Sequence, residues 1–382
     1  MSDYPDFVDP SSGDWRLRNG SPLIDRGDIS RIAEGIVTDI EGNPRIRGGS
    51  VDLGAYESPA NYTPGPIDTS PERLFVRRES TNKRGRSWGD AFPTIWEALF
   101  ESMAGGEVWV ASGTYQEPIP LPSNVSIHGG FLGTESELSD RNLESATTII
   151  DATGWTLPVA QAIYAQGITL DSIVFRNGSA YQGGGVSLLQ SGATIQNCQF
   201  ENNSAISLGG GLSVNSSSAA ISDCEFLQNR SPGIPSGGSV GNGAGGGIYL
   251  NANLDDVTIE RCRFIGNLVG QFASGIYVSG VANQHLTIED CEFHRNGGLE
   301  EIFDGTVIRA RSGNMMTILN SKFTENFRTS SFPFLRGGVI GSMGHRSDAL
   351  LSNCEISGNT GVHGLLMFNL IIQGSTISHN EG

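Results

Sequence analysis

The chain carries five cysteines, six histidines and 41 acidic residues, the side chains that could form disulfides, hold a metal or move a proton. All five cysteines occupy one slot of a repeated phrase. It reads Thr194-Ile195-Gln196-Asn197-Cys198-Gln199-Phe200-Glu201-Asn202-Asn203, and its copies centre on Cys224, Cys262, Cys291 and Cys354. Weaker copies have Ile173, Ser321 and Ser375 in that slot, and successive copies lie 21 to 38 residues apart. Zinc sites use far closer spacing. A cysteine fixed two residues before a phenylalanine marks a stacked core position, so the thiols are expected reduced and buried, with no disulfide plan.

The remaining groups do not assemble into a reaction centre either. His128, His285, His294, His345, His363 and His379 share neither ligand spacing nor a repeat slot. Asp255-Asp256 is the nearest carboxylate pair; it could hold calcium weakly, but its place between two strands suits a polar turn. Gly241-Asn242-Gly243-Ala244-Gly245-Gly246 satisfies G-x-G-x-x-G, yet it leads into Ile248-Tyr249-Leu250, a strand and not the helix a dinucleotide needs. The residue after each cysteine slot runs Glu225, Arg263, Glu292, Lys322, Glu355, and the residue before it runs Asp223, Arg261, Asp290. Stacked in parallel, such alternating signs attract at about 0.2–1 kcal/mol a pair. The pattern predicts a structural ladder, because an acidic catalytic cluster would stack like charges. No catalytic, cofactor-binding or metal-binding residue is assigned.

An irregular period of short apolar strands predicts a solenoid, one coil per repeat. Each coil pairs a Gly-rich strand with the cysteine-bearing one. The Gly-rich members are Gly183-Gly184-Gly185-Val186, Gly209-Gly210-Gly211-Leu212, Gly245-Gly246-Gly247-Ile248, Gly275-Ile276 and Gly337-Gly338-Val339. Phe-x-x-Asn follows at Phe200/Asn203, Phe226/Asn229, Phe264/Asn267, Phe293/Asn296 and Phe323/Asn326, then as Ile356/Asn359 and Ile377/Asn380. Phe and Cys should point inward. Asn should turn the chain in the left-handed conformation while its amide pairs with the Asn above. The insertion between Asn229 and Gly245 should bulge outward as a mobile loop.

Upstream, residues 90–103 have helical signals, with Ile95, Trp96, Leu99 and Met103 on one apolar face. Strands Glu107-Val108-Trp109-Val110-Ala111 and Val125-Ser126-Ile127-His128 follow, joined through Gly113-Thr114-Tyr115. Residues 58–72 form a Pro-rich linker. The first 57 residues differ in kind: Phe7-Val8-Asp9-Pro10, Gly42-Asn43-Pro44-Arg45 and Val51-Asp52-Leu53-Gly54-Ala55-Tyr56-Glu57 punctuate them.

These strings resemble known families. Residues 1–57 resemble the choice-of-anchor Q module of bacterial surface proteins. That module usually follows a β-helix, which implies that the chain begins at the tail of an upstream domain. The helix and strands of residues 73–160 resemble the capped opening of pectin-lyase-like right-handed β-helices. The Gly-Gly-apolar and Phe-x-x-Asn pairs of residues 161–382 resemble the repeats of chlamydial polymorphic outer-membrane proteins, without their membrane barrel. Together they imply an all-β chain, a right-handed parallel β-helix of about ten coils with an N-terminal capping helix. Its last coil carries no closing cap, so the chain is expected to belong to a longer polypeptide.

Net charge −17 and pI near 4.7 disfavour nucleic acid and anionic membranes as partners. No apolar run is long enough to span a bilayer, and no signal peptide is visible at Met1-Ser2-Asp3-Tyr4. The expectation is a secreted or cell-surface bacterial module without enzymatic activity, working in adhesion through an extracellular glycan or protein ligand. The alternative is a polysaccharide lyase or glycoside hydrolase acting in a groove along the solenoid. No cofactor is expected; calcium is conceivable, but no motif supports it.

Overall fold

The computed structural model describes residues 7–9, 14–21, 23–32, 35–63, 73–81, 84–102, 105–236, 239–241, 243–251, 257–279, 285–299, 306–311, 313–328, 339–343, 348–361, 365–366 and 369–381. The chain divides into two compact units, Met1–Pro71 and Glu72–Gly382.

The first unit has little ladder. Strands Phe7–Asp9 and Asp14–Leu17 pair antiparallel, and a 3-10 turn spans Ile29–Arg31. Carboxylates do much of the organising instead. Asp39 accepts from the backbone N–H groups of Glu41, Asn43 and Glu57. Asp52 accepts from those of Asp25 and Ser58, and Glu57 receives Arg45 Nη1 at 2.5 Å. All three acids are buried, so these bonds meet the requirement that buried charges be paired. The Gly42–Arg45 and Val51–Glu57 strings are therefore spelled by the network they build.

The second unit winds as a right-handed parallel β-helix. Among the described residues its strands form parallel sheets of eleven, ten and nine strands, with a shorter one of five. One coil contributes Gly192–Gln196, Gln199–Glu201, Ser204–Leu208 and Leu212–Asn215, a strand to each sheet. The cysteine slot is the corner between the first two of these strands.

Register makes the core. Ile195, Ile221, Ile259, Ile288 and Ile318 stand directly over one another. Phe200, Phe226, Phe264, Phe293 and Phe323 do the same, with ring centroids 4.6–4.7 Å apart and rings within 5° of parallel. That distance is the strand spacing itself, so backbone pairing sets the stacking. Removing one such ring would cost about 3–5 kcal/mol. The glycines fit this column: a Cβ on Gly211 would lie 2.9 Å from the Phe226 ring, and one on Gly247 2.9 Å from that of Phe264.

The asparagine expectation is half right. Asn203, Asn229, Asn267, Asn296, Asn326 and Asn359 are fully buried. Each side-chain amide donates to the next asparagine Oδ1 at 2.8–3.1 Å. The left-handed residue, however, is the one before: Asn202, Gln228, Arg295, Glu325 and His379 have φ of 51–54°. A second left-handed position precedes the cysteine slot, at Asn197, Asp223, Arg261, Asp290 and Asn353, with φ of 51–56°. The ladder asparagine turns its amide inward, and its neighbour takes the backbone turn.

The capping helix is shorter than expected, Ile95–Glu101, with Thr94 Oγ1 accepting from Glu97 N. Ile95, Ala98 and Leu99 face the first strands of the solenoid. Trp96 does not join that face; it is 48% exposed and stacks with Phe100. The long insertion contains an antiparallel hairpin, Ile234–Ser236 with Ser239–Gly241.

Candidate functional site

The outward charges take the places expected of a ladder. Glu225, Arg263, Glu292, Lys322 and Glu355 are in register. Arg263 bridges Glu225 at 2.5 Å and Glu292 at 3.3 Å, and Lys322 lies 4.0 Å from Glu355. The second column departs from expectation. Arg261 forks onto Asp223 at 2.8 Å, but its other nitrogen goes to Glu260 on its own strand and not across to Asp290. Like charges also meet once on this face, where Glu260 and Glu289 are direct partners. Arg261 offsets that pair from one side.

The five cysteines are free and buried. Their thiols donate to main-chain carbonyls, as Cys224 does to Ser222 O at 3.1 Å. Burial pushes the Cys224 thiol well above its ordinary range, which leaves it unreactive. Among the described residues no group of three or more His, Cys, Asp or Glu side chains could hold a metal ion. Asp255, Asp256, His345 and His363 lie outside the described residues. Ser239 has Gly-x-Ser-x-Gly spacing between Gly237 and Gly241, but it lies on a hairpin strand and not on the strand-to-helix turn that activates such a serine.

One histidine does have a partner that spacing concealed. His128 Nδ1 lies 3.1 Å from Asp171 Oδ2, one coil away. Arg141 reaches the same oxygen at 2.8 Å, and Asn197 donates to Oδ1 at 2.9 Å. Burial would raise the Asp171 carboxyl, but His128, Asn197 and Arg141 together hold it below the ordinary carboxylate range. Arg141 donates as well to Leu138 O, Gly129 O and Ser172 Oγ. The cluster ties the segment around Arg141 to the coils.

A different region is built for contact. Where the capping helix meets the first strand of the nine-stranded sheet, a groove of about 660 Å³ opens. Trp96 and Phe100 line it from the helix, Pro118 to Pro122 from the first coil, and Trp155, Leu157 and Ile163 from the next. Trp96, Phe100 and Trp155 are 48%, 63% and 49% exposed, so large rings stand partly in water. Glu117 is the only charged side chain of the lining. Its carboxylate accepts from Ile95 N at 2.8 Å and Trp96 N at 3.1 Å, capping the helix. Burial raises it above the ordinary glutamate value. A second cavity of about 340 Å³ shares Leu157, Pro158 and Gln161 with the first and continues to Tyr181, Gln182, Ser187 and Asn215.

Sequence reading missed this groove because its walls come from the helix and from successive coils, with no local motif. The one signal was Trp96, whose apolar character was assigned to the core.

Residues 159–342 match the family model described as a right-handed beta helix region. No curated protein matches the chain in sequence. Among solved structures, the chain is similar in fold to a pectin methylesterase from carrot (13% identity, 82% of this chain and 85% of that one, TM-score 0.41). It is also similar to a rhamnogalacturonan lyase (13% identity, 81% and 87% covered, TM-score 0.45). A third likeness is to the catalytic domain of a GH87 alpha-1,3-glucanase in complex with tetrasaccharides (14%, 87% and 71%, TM-score 0.35).

Proposed function

We propose that the chain is a non-enzymatic, extracellular or cell-surface β-helix module of bacterial origin that binds a glycan or protein ligand. The single observation carrying this reading is the exposed aromatic groove formed by Trp96, Phe100 and Trp155. The outward acids of the cysteine-bearing corner support it, because Arg263 and Arg261 already engage Glu225, Glu292, Asp223 and Glu260. The anchor-like first unit and the repeat resemblance fit a surface location. Among the described residues no helix is long and apolar enough to cross a membrane.

One observation favours the alternative, a polysaccharide lyase or glycoside hydrolase: Glu117 is a carboxyl raised by burial at the edge of the groove, a state suited to a general acid. Its two bonds to the helix N-terminus give it a structural task that accounts for its position. Hydrolysis would also need a second carboxyl across the scissile bond, and no other carboxyl lines the groove. A panel of pectic and other glycans, incubated with and without calcium and followed for both binding and product, tests the proposal. Retention without products is expected; new reducing ends or unsaturated products would support the enzyme.

A further inference from the structure

We infer that the ligand of the groove is a neutral glycan lying along the solenoid, its sugar rings stacked on Trp96–Phe100 and Trp155. The inference rests on the binding-module reading and narrows it.

Charge excludes the first competitor. The two adjoining cavities contain no Lys or Arg among their lining side chains, and their only charge is the acid Glu117. The whole chain carries −17. A uronate polymer would enter unpaired and be repelled, with nothing to offset the desolvation of its carboxylates.

The order of side chains along the groove then separates a glycan from an apolar peptide. At one end the Trp96 and Phe100 rings stack at 6.4 Å and 20° while both stay substantially exposed. An aromatic face is electron-rich, and the C–H face of a pyranose is its electropositive complement. Toward the other end Thr156, Gln161, Gln182, Ser187 and Asn215, all uncharged and each able to hydrogen-bond, join the lining among Leu157, Tyr181 and Leu189. Hydroxyl-rich rings use both halves. A proline-rich peptide would use the aromatic slots alone and would leave a row of amides and hydroxyls facing its apolar side chains.

Geometry supports an extended chain. Gln161 is the direct partner of Ser187 on the next coil, while Asn215 follows Ile163 and Leu189 in a column that is otherwise apolar. Parallel strands repeat at about 4.8 Å, so Gln161 and Ser187 present polar groups one strand step apart, along the axis that an extended polymer would follow.

The test measures binding of neutral hexasaccharides (β-1,4-glucose, β-1,3-glucose and β-1,4-mannose) by calorimetry, beside hexagalacturonate and a proline-rich decapeptide. The proteins are the full chain, Trp96→Ala, Trp155→Ala and Trp155→Phe, with melting curves to verify folding. At least one neutral hexasaccharide should bind and the other two probes should not. Trp155→Ala and Trp96→Ala should each weaken binding roughly tenfold, and Trp155→Phe should retain most of it. Binding of hexagalacturonate or the peptide alone would overturn the neutral-glycan inference while leaving the module reading standing. Neutral binding untouched by both alanine variants would leave the module reading and remove the groove from it. If no probe on the panel binds, both readings fall.

Discussion

Asn267 Nδ2 donates to Asn296 Oδ1 at 2.9 Å, one coil further along the solenoid, and Asn267 N donates to the same oxygen at 3.0 Å. The same Nδ2 reaches back to Phe226 O at 2.8 Å, while Asn267 Oδ1 accepts both N–H groups that Asn229 offers. One fully buried side chain thus ties its own coil to the one on either side.

Asn267→Ala should therefore be severe. It strands the backbone N–H of Asn229, one hydrogen of its amide and the Phe226 carbonyl, at about 1–3 kcal/mol for each buried group left unpaired. A loss of about 3–6 kcal/mol is expected from denaturant melts. Asn267→Asp should cost comparably, since a carboxylate accepts from Asn229 but cannot donate onward. A loss below about 1 kcal/mol for both would mean the ladder is incidental.

Arg263→Glu should be milder and salt-dependent. It puts a carboxylate between Glu225 and Glu292, replacing two attractions of about 0.2–1 kcal/mol with two repulsions, a loss of about 1–2 kcal/mol. High salt should shrink that loss by screening. Adding Glu225→Arg and Glu292→Arg should recover part of it, because two attractions return while Glu292→Arg sets a second cation against Lys322. Melts at low and high salt decide the matter; an effect indifferent to salt would contradict the charge assignment.

Stability should depend on pH through acids shifted in both directions, among them Asp171 and Glu117. Asp171 is lowered in the fold, so its contribution is full above its ordinary 3.8 and is lost as pH falls through the lower folded value. Glu117 is raised, so its contribution is full below its ordinary 4.5 and is lost as pH rises through the higher folded value. Asp171→Asn should make the acid limb of a melting-temperature profile less steep, and Glu117→Gln the limb above 4.5, where Glu57 also contributes. Profiles parallel to wild type would refute both assignments.

The solenoid was legible because its code is periodic: cysteine slot, Phe column and asparagine ladder recur in residues that the register then superimposes. Two local readings went astray for physical reasons. Asn has a real tolerance for positive φ, but in this fold its amide is worth more pointing inward, so Asn202 and Gln228 take the strain instead. Trp96 has the right character for the helix's buried face, yet Ala98 fills that place beside Ile95 and Leu99 and turns the larger ring outward. His128 and Asp171, 43 residues apart, could be joined only once the coils were aligned. The groove had no linear signature at all, because a contact surface made from Phe100, Pro118 and Trp155 exists only in three dimensions.

The account stands on a groove that binds without reacting, and Glu117 is the side chain that could prove otherwise. The most direct measurement is mass spectrometry of neutral hexasaccharides after prolonged incubation with wild type and with Glu117→Gln, paired with binding by both proteins. The account predicts intact hexasaccharide from each protein and comparable affinity. Shortened or unsaturated sugar from wild type, absent with Glu117→Gln, would contradict it and establish Glu117 as a catalytic acid.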